Sequence, residues 1–236
     1  MIIPLKDSIP ALHKPYASWL IIIASLGVFL YQKFGLSLPE ARVFIRAHGL
    51  TPAALPFPGL PDLVSYMFLH GGWLHLIGNL WIFRIFSDNI EDVMGPVRFF
   101  LFYLACGVVA GLAHSFVHPE SVNPVIGGSG AISGVLGAYF LLYPRARVTT
   151  FVMLLILDLP AVLYLGGWFL LQLYSGLSAS GSSGIAWWAH LGGFVAGMLL
   201  FPFFRSNRCW TGQLPQPPEP RYVPDPKDPW ARLRSK

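Results

Sequence analysis

Six stretches of this chain run for 15 to 20 residues with almost no charge, and they leave few folds open. They are Ala17 to Tyr31, about Gly71 to Phe86, Phe99 to Val117, Ser129 to Tyr143, about Pro160 to Leu177, and Ile185 to Phe204. A membrane-crossing helix needs roughly 20 mostly apolar residues. The expected fold class is therefore all-α, a polytopic membrane protein with six transmembrane helices. Only 11% of the residues are charged, against about 25% in a soluble domain. A soluble enzyme, a disordered chain and a nucleic-acid-binding domain all fit poorly. The first apolar run lacks a small-residue cleavage site and is expected to stay as an anchor.

The net charge of +5 is a matter of placement. With both termini in the cytoplasm, that side receives 13 of the 16 Lys and Arg residues, and the other side keeps Lys33, Arg42 and Arg46. The basic balance is thus an orientation signal, and no nucleic-acid partner is expected. Three parts follow: a cytoplasmic segment over 1–16, a six-helix membrane domain over 17–205, and a Pro-rich, disordered cytoplasmic tail over 206–236. Residues 33–65 form a long outer loop, functional or membrane-associated. The apolar stretch 148–157 is expected as a buried or interfacial connector. Asp158 stands just before helix five, and Pro160 sits in its first turn. Cys106 and Cys209 form neither a metal-ligand spacing nor a disulfide framework.

Uncharged polar groups inside apolar helices are costly, so each is a functional candidate. In His70-Gly71-Gly72-Trp73-Leu74-His75-Leu76-Ile77-Gly78-Asn79, His75 and Asn79 are four apart and share a helix face. His70 lies about 140° from His75, or precedes the helix. No HExxH motif is present, so a zinc protease is not expected, and no metal or cofactor is required. In Gly127-Gly128-Ser129-Gly130, the flanking glycines leave the Ser129 hydroxyl uncovered. The run from Ser129 to Pro144 rises roughly 22 Å, short of a hydrocarbon core about 30 Å thick. Its start must lie below the outer surface, and the preceding loop must line a submerged wet pocket. Gly130 and Gly134 also form a GxxxG packing pattern, and Ser133 reads as packing. In Ala189-His190-Leu191-Gly192-Gly193, His190 lies at a depth comparable with Ser129, and a neutral imidazole there activates a serine hydroxyl. Glu91, in the inner sequence Ser87-Asp88-Asn89-Ile90-Glu91-Asp92, reads as structural, capping helix three or bracing the loop.

These three motifs, in this order on helices two, four and six, resemble the rhomboid family of intramembrane serine proteases. The resemblance covers about residues 60–204 and the minimal six-helix bacterial form. Asp88-Asn89-x-Glu91-Asp92-x-Met94-Gly95 and Trp168-Phe169-Leu170-Leu171-Gln172 are similar too. It implies a Ser129 nucleophile and a His190 base. The oxyanion would be held by the Ser129 backbone N–H with the side chains of His75 and Asn79. His70, Gly127, Gly128 and Gly130 would support the site. The implied activity is hydrolysis of peptide bonds in or next to the transmembrane segments of membrane-anchored proteins. The membrane would be a bacterial inner membrane. The non-enzymatic alternative is a binding or chaperone protein for transmembrane helices. Two departures stand out. Some members carry an aromatic residue four after the nucleophile to pack on the histidine; here that position is Ser133, so another residue must orient His190. Many carry a Trp-Arg pair in the first outer loop, and this loop has no Trp.

Overall fold

A computed structural model describes residues 2–55, 61–178 and 184–206. The tail expected over 206–236, with Cys209, lies outside the described residues apart from Ser206. The chain is mostly helical and builds a polytopic membrane bundle. In chain order its elements are β1 (Ile2–Asp7), α1 (Tyr16–Leu30), α2 (Leu38–His48), α3 (Asp62–Ser65), α4 (Trp73–Met94), α5 (Pro96–Val117), α6 (Ser129–Leu142), β2 (Arg147–Val152), β3 (Leu155–Pro160), α7 (Ala161–Ser178) and α8 (Trp187–Phe204). With its continuation to Gly35, α1 is long and apolar enough to cross a membrane, as are α5, α7 and α8. Helix α4 has the length but carries Arg84, Asp88, Glu91 and Asp92 in its inner half. Helix α6 has 14 residues, about 21 Å, and is buried along nearly its whole length.

The bundle closes around α6 because small residues let backbones touch. A Cβ on Gly197 or Gly193 of α8 would collide with the carbonyl oxygens of Gly134 and Gly130 on α6. A Cβ on Gly137 would collide with the carbonyl of Phe194. Without a water-driven term between helices in lipid, such close packing is what joins them. Around this crossing Phe83, Phe86, Phe99, Phe102, Tyr103 and Tyr139 fill the core. By contrast α7 buries only Ala161, Leu165 and Gln172.

Several elements depart from the sequence expectation. Helix two runs on to Met94 instead of ending near Phe86, so Asp88 to Asp92 are its last turns and no loop. Glu91 caps α1, not helix three: its carboxylate accepts from the backbone N–H groups of Ala17 and Ser18, both at 2.8 Å, and from Ser18 Oγ at 2.7 Å. Those N–H groups are donors that a helix start leaves unpaired. Asp92 takes the N–H groups of Leu12 and His13 in the same way.

The stretch 148–157 is no plain connector but most of a hairpin. Strands β2 and β3 pair antiparallel from Arg147↔Pro160 to Val152↔Leu155, and β1 adds on the other side of β2. This three-stranded sheet is an addition to the all-α bundle. Asp158 therefore lies in β3 opposite Thr149 and is not at a helix start, and Pro160 ends the strand instead of opening α7. The reason is covalent length: the chain leaves α6 at its inner end and returns to α7 there, and a hairpin satisfies the intervening backbone groups.

Candidate active site

The loop before α6 is non-helical, and backbone of that kind inside a membrane bundle needs protein partners. Here the outer loop supplies them. Leu50 and Val125 exchange both backbone hydrogen bonds, at 3.0 and 2.8 Å, and Gly127 N–H donates to the Tyr66 carbonyl at 2.8 Å. Tyr66 is itself fixed by its hydroxyl on the Gly107 carbonyl. Part of the segment 33–65 is thus scaffolding for the loop that delivers Ser129. Another part is the exposed helix α2, opened by a Ser37–Glu40 capping box.

Ser129 is the first residue of α6, where backbone N–H groups and the positive end of the helix dipole face an incoming anion. Gly127 adopts φ +117°, a region L side chains avoid. A Cβ there would stand 2.6 Å from His75 Nε2. A Cβ on Gly128 would meet the Tyr103 hydroxyl at 2.6 Å, and one on Gly130 would meet Ala110 at 2.7 Å.

Across the α6–α8 crossing, His190 Nε2 lies 2.8 Å from Ser129 Oγ. The other ring nitrogen, Nδ1, lies 2.7 Å from Gln172 Oε1. An amide oxygen only accepts, so Nδ1 carries the proton and Nε2 is left to accept from the serine. Trp168 lies beside the imidazole with ring centroids 6.1 Å apart, and Trp187 meets it edge-on at 6.2 Å. Gln172 and Trp168 of α7 thus hold the ring that Ser133 cannot. Ser133 turns its hydroxyl back to the Ser129 carbonyl at 2.7 Å.

On the facing helix, His75 Nδ1 accepts weakly from Gly71 N–H at 3.4 Å, which leaves Nε2–H as a donor toward Gly127. Asn79 Nδ2 lies 3.0 Å from His70 Nε2, while His70 Nδ1 donates to the Phe68 carbonyl at 3.2 Å. One amide hydrogen of Asn79 is therefore spent on His70, and the other remains available. His70 precedes α4 and is buried.

Ser129, His190, His75 and Asn79 line one cavity of about 1180 Å³, while His70 stands behind Asn79. Among the described residues Glu120 is the one carboxylate on its wall. His114 of α5 also lines it, with a buried Nδ1 that has no hydrogen-bond partner among the described residues. Sequence reasoning passed over His114, and it quoted Gln172 without a role; in both cases the available signal was a polar side chain within an apolar run. Among the described residues no group of three metal-ligating side chains converges.

A family model for the Rhomboid domain matches residues 59–207. The chain is 30% identical over 200 residues to Rhomboid-related protein 2 of Mus musculus, covering 79% of this chain and 63% of that protein. It is 28% identical over 190 residues to Rhomboid protein 1, mitochondrial, of Saccharomyces cerevisiae, covering 76% and 51%. With Rhomboid-like protein 11, chloroplastic, of Arabidopsis thaliana the identity is 33% over 119 residues, covering 50% and 38%. The chain spans less than two thirds of the length of these relatives. The helical bundle, the short buried helix α6 and the family match agree: this chain is an integral membrane protein of the rhomboid family.

Proposed function

We propose that the protein is an intramembrane serine endopeptidase acting on membrane-anchored proteins, at peptide bonds in or next to their transmembrane segments. The observation that carries this reading is the His190 Nε2–Ser129 Oγ contact at 2.8 Å on the wall of a cavity large enough to admit water and a peptide segment. His190 takes the hydroxyl proton on Nε2 as Ser129 Oγ attacks the substrate carbonyl carbon. The resulting oxyanion sits among the Ser129 backbone N–H, His75 Nε2–H and the free Asn79 amide hydrogen. Donors aimed at a developing charge of this kind contribute typically about 2.7–4 kcal/mol each. Collapse breaks the C–N bond, and His190 gives its Nε2 proton to the leaving amine. Water then enters, loses a proton to Nε2 and hydrolyses the acyl ester, which restores Ser129. Gly127, Gly128 and Gly130 let the loop approach these groups. His70 holds Asn79. No metal or cofactor has a step in this sequence.

The membrane placement is an integral one. The finer reading, a bacterial cell membrane with both termini cytoplasmic, rests on the distribution of Lys and Arg and on the six-helix form. The decisive experiment is labelling with a fluorophosphonate probe, with cleavage of a reporter transmembrane substrate in parallel. Both are expected in the native chain and both are lost in Ser129→Ala and His190→Ala, which still insert. Full cleavage by either variant removes the dyad. Binding of transmembrane helices with no labelling of the native chain leaves the non-enzymatic reading.

A further inference from the structure

The sheet β1–β2–β3 changes character halfway along its strands. On the face turned away from the bundle, Lys6, Thr149 and Asp158 stand in one cross-strand row. The next row on that face is Ile3, Phe151 and Ile156. Two residues along a strand is about 6.8 Å, so charge gives way to hydrocarbon within one pleat. The opposite face is buried at Val148 and Thr150, yet at the far end Ile2, Leu155 and Leu157 stand exposed. At the turn Met153 is 75% and Leu154 90% exposed. A half-buried strand in water alternates apolar and polar residues; here the distal half is apolar on both faces.

The direction of the sheet is fixed by its contacts. The chain passes Asn89, whose amide donates to the Ile9 carbonyl, and then Tyr139, whose hydroxyl donates to Asp7. It reaches Trp81, whose indole N–H donates to the Pro4 carbonyl at 2.7 Å. Trp81 lies thirteen residues before the end of α4 at Met94, about 20 Å up the helix axis. The strands therefore climb from the polar inner end of the bundle toward its middle. Strand β1 packs on α4, while β2 and β3 join α7 at the junction where Ala161 N–H donates to the Ala146 carbonyl. The exposed apolar tip adjoins α4 at Trp81, and Ile77, one turn further along that helix, is exposed as well.

We propose that this sheet is seated in the membrane interface at the inner end of the bundle, with the apolar side chains of its distal half reaching the acyl chains and the free backbone edges kept at headgroup level, where water satisfies them. The row Lys6, Thr149, Asp158 marks the headgroup boundary. The occupant of the apolar tip is lipid, because the change of polarity lies level with the charged inner ends of the helices and the tip adjoins the exposed flank of α4. The inner half of the side between α4 and α7 is then walled by the sheet.

The test is depth-dependent quenching on the full chain in phosphatidylcholine–phosphatidylglycerol vesicles. With Cys209→Ser as background, Leu154→Cys carries an environment-sensitive fluorophore, and Lys6→Cys carries it in a second preparation. Leu154→Cys is expected to emit in the apolar range, to be quenched by acyl-chain nitroxide lipids and to be shielded from aqueous cobalt. Lys6→Cys is expected to show the reverse. Ile156→Cys repeats the measurement should labelling at the turn disturb insertion. Aqueous quenching at both Leu154→Cys and Ile156→Cys overturns the proposal and gives the tip to water. Shielding from both quenchers also overturns it, and assigns the tip to a second copy or another protein. The measurement needs no cleavage, so it is independent of the protease reading.

Discussion

Replacing Gln172 by Leu removes the acceptor on His190 Nδ1 while leaving the shape of α7 nearly unchanged. A neutral hydrogen bond contributes about 1 kcal/mol. Turnover of a transmembrane reporter should fall about fivefold, with KM and membrane insertion preserved. Gln172→Glu separates orientation from mere packing. A carboxylate at this position still accepts from Nδ1, so Gln172→Glu should keep most of the turnover that Gln172→Leu loses. Gly127→Ala should abolish probe labelling, because the new Cβ needs a disfavoured φ and displaces His75. Ser129, His190, His75 and Asn79 stood out in the sequence as candidates because each is a polar residue in an apolar run. The partner of His190 was not, because Gln172 is 18 positions away on another helix. Only the bundle brings it near.

Among the elements, α1 and the sheet depend on groups far away in sequence. Glu91→Ala strips three hydrogen bonds from the start of α1. It should cost about 2–3 kcal/mol, seen as a lower thermal midpoint in detergent. Asp7 offers a pH test. Burial pushes its carboxyl up to about 6, nearby Asp88 adds to the rise and the Tyr139 hydroxyl opposes it. The unfolded value is near 3.9, so between neutral and mildly acidic pH the folded chain takes up a proton that the unfolded chain does not. Stability should therefore rise as pH falls through about 6, and Asp7→Asn should flatten that slope in the same thermal assay. Helix existence was legible from run length, while the strands were not. The turn at Met153-Leu154 has no Gly or Asn, although Met153 takes φ 55°, and the apolar tip lacks the alternation that marks a strand.

At the scale of the molecule there are two mechanical parts. Helices α6 and α8 are joined backbone to backbone through Gly134, Gly193 and Gly197, and α5 packs on them through the small side chains of Cys106, Ala110 and Ala113. Gly197→Val should push α8 away from α6 and lose both thermal stability and probe labelling, since the crossing sets the distance from Ser129 to His190. Helix α7 is different. It meets α8 through Trp168 and Phe169 on Phe194 and through Gln172 on His190, and shows Leu163, Leu170, Leu171, Tyr174 and Leu177 to the outside. An 18-residue helix measures about 27 Å, shorter than the hydrocarbon of a thick bilayer. Straightening α7 toward the bilayer normal to match shifts the Gln172 amide relative to the imidazole. Hydrophobic thickness thereby becomes a variable of proton transfer. Turnover in vesicles of increasing acyl length should decline more steeply in the native chain than in Gln172→Leu, where the link has already been cut.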